Sequence, residues 1–411
     1  MAHRWSLHTL FLSLACSVAW AQDPAGVEFQ VNSHTTSAQW VPGVASDANG
    51  NFVVVWASDG QDGSGHGVFG QRFGASGVPQ GSELQVNSYT TGQQFDPAVG
   101  SDASGSFVVT WESIQDGSAL GIFGQRFSTS GLPQGAEFQV NSYTTNDQFL
   151  PAVASGTNGD FVIVWTSRIQ DGSFEGIFGQ RFDASGLPQG AEFQANSFTT
   201  GTQMSPAVAS DASGNFVVAW ESIQDGSGSG IVGQRFGATG VPQGGEFQVN
   251  SYTTGSQARP KVASDANGNF VVVWASDGQD ASGYGVFAQR FDAAGVPQGG
   301  EFRANTQVAG NQLKPGVASD AIGNFVVVWA SDGQDGSGWG VFGQRFSAAG
   351  VPQGSEFQIN SYTTSRQAGP TAASAPNGNF VVAWESLGQD GNGYGVFGQR
   401  FGDRIFEDGF E

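Results

Sequence analysis

Short apolar runs of the form Phe-Val-Val-Val-Trp return along this chain with a regularity that sets its architecture. Each run is β-branched and aromatic with almost no polar interruption, the pattern of a strand buried on both faces. In the first copy, Asn51 to Trp56 is such a strand. Before it, Pro42 to Ser46 alternates as a half-buried strand, joined to it by the turn Asp47-Ala48-Asn49-Gly50. A longer polar loop leads to Gly67–Phe73, and Ala75-Ser76-Gly77-Val78-Pro79-Gln80-Gly81 turns the chain into a fourth strand, Glu83–Asn87. We term these strands a, b, c and d. No segment carries the 3.6-residue period of a helix, so the pattern predicts an all-β protein.

The buried tryptophans Trp56, Trp111, Trp165, Trp220, Trp274, Trp329 and Trp384 mark seven copies spaced by 54 or 55 residues. Four antiparallel strands in a unit of that size are the blade of a β-propeller. A row of small sandwich domains is the competing architecture, and the unit is short for a sandwich. The phase of the repeat decides between them. Pro24-Ala25-Gly26-Val27-Glu28-Phe29 matches Pro79-Gln80-Gly81-Ser82-Glu83-Leu84, so the first copy of strand d precedes the first complete blade. The last repeat ends after Gly398-Gln399-Arg400-Phe401, on strand c. Residues 22–402 therefore predict a seven-bladed β-propeller whose N-terminal strand completes the last blade and removes two open sheet edges.

The copies, through the Pro–Val of strand a, Gly-Asn-Phe-Val-Val-Val-Trp and Gly-Val-Phe-Gly-Gln-Arg-Phe, resemble repeats of exported bacterial propellers and large bacterial adhesins. That resemblance spans nearly all of the repeat region and implies no shared activity. Residues 403–411 end in Phe406-Glu407-Asp408-Gly409-Phe410-Glu411, similar to a short C-terminal motif on other secreted Gram-negative proteins.

Export is also what the N-terminus predicts. Arg4, the apolar run Leu7–Val18 and the small residues of Ala19-Trp20-Ala21 form a signal peptide over residues 1–21. A lipoprotein signal would place leucine where Ser13 stands, three residues before Cys16. Cys16 is the one cysteine, so beyond the signal there is no disulfide, thiol catalysis or cysteine–zinc chemistry. The expected location is secreted or cell-surface, or the periplasm. A net charge of −21, spread along the chain, opposes binding to nucleic acid and anionic lipid, and no segment after the signal is apolar enough to cross a membrane. The expected state is a monomer.

The a–b and c–d turns are short and nearly identical, whereas the b–c and d–a loops are longer and hold most of the variation. Those loops emerge on one face, where a ligand site is expected. At the end of the b–c loop the most variable position reads His66, Leu120, Glu175, Ser229, Tyr284, Trp339, Tyr394. Four of these, Tyr284, Trp339, Tyr394 and His66, form one arc over neighbouring blades. Trp40, Phe95, Phe149 and Met204 form a second arc. Aromatic faces of this kind suit a glycan or a protein surface. Packing over their own loops is the alternative for these side chains.

Two charges are invariant. The loop aspartates Asp62, Asp116, Asp171, Asp225, Asp280, Asp335 and Asp390 sit in glycine-rich turns where calcium is conceivable. Asp59, Asp277 and Asp332 add a second carboxylate in three copies, and capping of the turn accounts for the sameness without metal. The strand-c arginines Arg72, Arg126, Arg181, Arg235, Arg290, Arg345 and Arg400 read as structural, through a salt bridge or a backbone clamp. Their candidate partners are the loop aspartates or the glutamates opening strand d. The off-pattern bases Arg168, Arg259, Lys261, Lys314 and Arg366 read as scattered.

Catalytic signatures are weak. Ser46–Phe52 is only loosely similar to the sialidase aspartate box, and such a box is a turn. His34 and His66 lack a clustered carboxylate or nucleophile. Glu112 and Glu221 recur at equivalent positions, without the asymmetry of an acid–base pair. No blade carries an insertion. The sequence therefore favours a non-enzymatic binding, adhesion or scaffold module, with a glycosidase- or lyase-type enzyme as the alternative.

Overall fold

A computed structural model describes residues 24–402; the expected signal peptide, residues 1–21, and the acidic tail, residues 403–411, lie outside the described residues. Among the described residues there are seven four-stranded antiparallel sheets and no helix. The first complete blade is β2 (Gln39–Ser46), β3 (Phe52–Asp59), β4 (His66–Phe73) and β5 (Leu84–Gln85), in that order. The seventh is β26 (Gln367–Ser374), β27 (Phe380–Leu387) and β28 (Tyr394–Phe401), completed by β1 (Phe29–Gln30) from the N-terminus. Phe29 pairs with Gly398 and Gln30 with Phe397, and Pro24 bridges to Phe401 as Pro79 does to Phe73. The ring closes as the phase of the repeat predicts.

Burial explains why strand b is apolar throughout. Phe52, Val54 and Trp56 pack against blade seven, through Val381, Ala383 and Val396. Val53 and Val55 face the other way, into a cluster with Val109, Trp111 and Phe123 of blade two. Every blade thus shares both of its faces, and the seven tryptophans are completely buried between blades. The hydrophobic core is a set of seven inter-blade layers.

In six of the seven blades strand d is shorter than the sequence pattern indicates, as in blade one, with two residues in place of Glu83–Asn87. The main-chain ladder gives way to a side chain: Val68 N–H donates to Asn87 Oδ1 at 2.7 Å, and Asn87 Nδ2 donates to Gln94 Oε1 of the next blade at 3.1 Å. The same asparagine accepts from strand c in all seven blades, Asn32 doing so for the last. Strand a is longer than expected, beginning at Gln39, because a bulge lets the ladder start ahead of the proline.

Candidate functional site

The bulge builds the site. In each blade the pairing of strands a and b slips around one residue followed by proline, as between Trp40 and Gly43. That residue adopts positive φ in every copy: Val41 50°, Asp96 46°, Leu150 53°, Ser205 56°, Arg259 57°, Lys314 52° and Gly369 62°. Proline has no N–H to give the ladder, and a bulge is where an inner strand tolerates it. The residues before the seven prolines, with those after them, line a cavity of about 490 Å³ on the ring axis. The bulge lies at the start of strand a, so the cavity mouth opens on the b–c/d–a face.

The seven mouth residues differ in chemistry, and the cavity is electrically polarised. On blade two, Asp96 and Glu112 share a side-chain hydrogen bond. Burial, reinforced by the Asp96 charge, pushes the Glu112 carboxyl up to about 8, so it is protonated at neutral pH and donates to Asp96. Burial also raises Asp96, opposed by that hydrogen bond and by Lys261 and Lys314. Blades five and six supply those cations. One step below the mouth the ring reads Gly43, Ala98, Ala152, Ala207, Lys261, Gly316, Thr371, so Lys261 alone carries a long side chain there. Desolvation lowers the Lys261 pKa and Arg259 lowers it further, against the pull of Asp96. The residue as a whole lines the cavity and is exposed to it.

Three glutamates following the buried tryptophans each meet the bulge of the next blade and differ in what else they touch. Glu112 accepts from Leu150 N–H at 2.6 Å, and Glu221 from Arg259 N–H at 2.8 Å, each satisfying the strained bulge of the next blade. Glu385 pairs with Lys314 at 3.2 Å and also faces Val41 N–H at 3.4 Å. Their sequence equivalence conceals this asymmetry. The structure also corrects the reading of scattered bases: Arg259, Lys261 and Lys314 converge on the axial cavity. A signal for this existed, since the residue before each invariant proline is among the most variable in the repeat.

Beside the mouth, members of the two sequence-predicted arcs meet. Trp40 lies 5.3 Å from the His66 ring, 6.3 Å from Phe95 and 6.4 Å from Tyr394, centroid to centroid. His66 and Phe95 are 5.5 Å apart, and His66 Nε2 is 3.8 Å from Asp59 Oδ1. All four rings are half-buried, with part of each surface open. Trp339 is instead covered by the Arg366 guanidinium at 5.7 Å. Among the described residues, no ring contact joins Tyr284 or Phe149 to the cluster, although both are half-buried on the same face. His34 stands in the d–a loop, where its carbonyl accepts from Asn32.

The invariant charges hold the frame. Each loop aspartate accepts from the backbone N–H two residues on, from Asp62 with Ser64 at 3.1 Å to Asp390 with Asn392 at 3.1 Å. Among the described residues, no three His, Asp or Glu side chains converge to hold a metal. The strand-c arginines act as backbone clamps. Arg72 donates to Ser130 O in the c–d turn of the next blade at 2.7 Å, Arg181 to Thr239 O at 2.9 Å and Arg235 to Ala293 O at 2.7 Å. Arg290 and Arg400 make the same bond to Ala349 and Ala75, and Arg345 lies over the Phe380 ring. Arg126 packs against Gly186 in the corresponding turn. The strand-d glutamates grip the preceding blade instead, as Glu83 does through Ser33 N–H at 2.8 Å.

No family model and no curated protein matches the chain. Solved structures match the fold. A protein of unknown function from Dyadobacter fermentans has a TM-score of 0.54 at 11% identity, covering 92% of this chain and 98% of its own. A fungal alcohol oxidase in complex with copper has a TM-score of 0.52 at 14% identity, covering 92% and 76%. An α-L-arabinofuranosidase of Fusarium graminearum with arabinobiose has a TM-score of 0.51 at 13% identity, covering 75% and 92%. At these identities the likeness is one of fold alone.

Proposed function

We propose that the protein is an exported, non-enzymatic binding module that takes a glycan where the axial cavity meets the b–c/d–a face. The observation that carries this reading is the convergence of Trp40, His66, Phe95 and Tyr394 beside a polar mouth. Such rings bury a sugar face at little entropic cost, while the mouth supplies donors and acceptors for hydroxyls. A glycan array tests it. Binding of a defined glycan is expected, and Trp40→Ala should weaken it about tenfold or more without lowering the melting temperature appreciably. Unchanged affinity in that variant would remove the aromatic cluster from the site.

A hydrolase is the second reading, favoured by one observation: a protonated Glu112 held against Asp96. Directly hydrogen-bonded carboxyls are closer than the roughly 5 Å or more that separates the acid and base or nucleophile of glycosidases, which places this reading second. Polysaccharide turnover abolished by Asp96→Asn would reverse the order.

A further inference from the structure

We infer that the glycan seated at this mouth is acidic, with a carboxylate held by Arg259 and Lys261 of blade five. The inference rests on the glycan reading above and specifies its ligand. Seven of the 15 basic residues are the repeated strand-c arginines, committed to the frame. Of the three cations lining the cavity, Lys314 is neutralised by Glu385. Among the described residues, no carboxylate lies within salt-bridge distance of the Arg259 guanidinium or the Lys261 ammonium. Glu221 engages the main chain of Arg259 and leaves its side chain available.

Two cations side by side repel one another, and Lys261 loses part of its hydration against only the pull of Asp96 across the cavity, so the pair favours an arriving anion. An anion between them relieves both costs, and a guanidinium fits the two oxygens of a carboxylate. The opposite wall fixes the other end of the ligand. Asp96 repels a second anion while its carboxylate, backed by Glu112, offers acceptors to hydroxyls, so the carboxylate turns to blade five and the hydroxyls to blade two. A volume of about 490 Å³ suits one or two sugar rings. These requirements describe a uronic acid residue.

The repeat itself supplies variants that keep the fold. Lys261→Ala installs the residue present at Ala98, Ala152 and Ala207, and Arg259→Ser installs that of Ser205. Trigalacturonate, its methyl ester and arabinotriose would be titrated calorimetrically against the full chain and both variants. Tighter binding of the acid than of the ester by tenfold or more is expected, with the difference lost in either variant and kept in Lys261→Arg. Equal affinity for acid and ester, or binding of arabinotriose alone, overturns the acidic ligand and leaves the glycan reading standing. Silence with all three sugars and across a glycan array overturns both.

Discussion

Six side-chain-bearing residues, Val41, Asp96, Leu150, Ser205, Arg259 and Lys314, hold a backbone conformation that glycine adopts with ease. Each costs of order 1–3 kcal/mol. The strain turns these side chains out of the ladder and toward the axis, where blades can differ without disturbing the core. Glu112, which caps one such bulge, gives the molecule a pH dependence. A carboxyl raised from its ordinary value to about 8 contributes most below pH 4.5, and that contribution fades as pH climbs through 8. Urea unfolding should therefore show stability falling between pH 5 and 8 by a few kcal/mol. Glu112→Gln, which can still accept from Leu150 N–H, should flatten that slope. A wild-type profile already flat over this range would contradict a neutral Glu112. None of this is legible in residue order. Glu112, Glu221 and Glu385 occupy one repeat position, and only the neighbours brought by adjacent blades separate their roles.

At the scale of the strand, the sequence is far more explicit. Phe52 to Trp56 has no polar face, so it requires a neighbour on either side, and seven such strands require a ring. What the periodicity does not show is where side chains replace the backbone. Asn87 ends its ladder early, and Arg72 reaches a carbonyl instead of a carboxylate. One of the shortest strands has the largest mechanical duty. β1 pairs over two residues, yet Val31 N–H adds a bond to Val396 O, and Phe29 packs 5.3 Å from Phe73 of blade one. Glu28 accepts from Ser361 and Gln389. Deleting residues 28–32 should lower the urea midpoint sharply and broaden the transition, whereas removing residues 403–411 should leave both unchanged. A deletion without effect would mean that the ring does not depend on its closing strand.

Across the whole molecule, a nearly uniform frame carries a non-uniform axis. Repeated clamps make the blades interchangeable, while the mouth places acid on blade two and base on blades five and six. Uniformity has a further consequence at the seam. The edge of β28 that accepts β1 offers what every strand c offers its strand d, so nothing in its chemistry identifies the chain of origin. Closing the full ring costs about 2 kcal/mol more loop entropy than closing one repeat, a narrow margin against a strand arriving from elsewhere. A borrowed N-terminus would satisfy the same pairing. Refolding at high protein concentration should accordingly yield exchanged dimers, visible by light scattering and absent on dilute refolding, and deletion of residues 28–32 should abolish them. The strand that finishes one ring is thus also the part that two rings can trade.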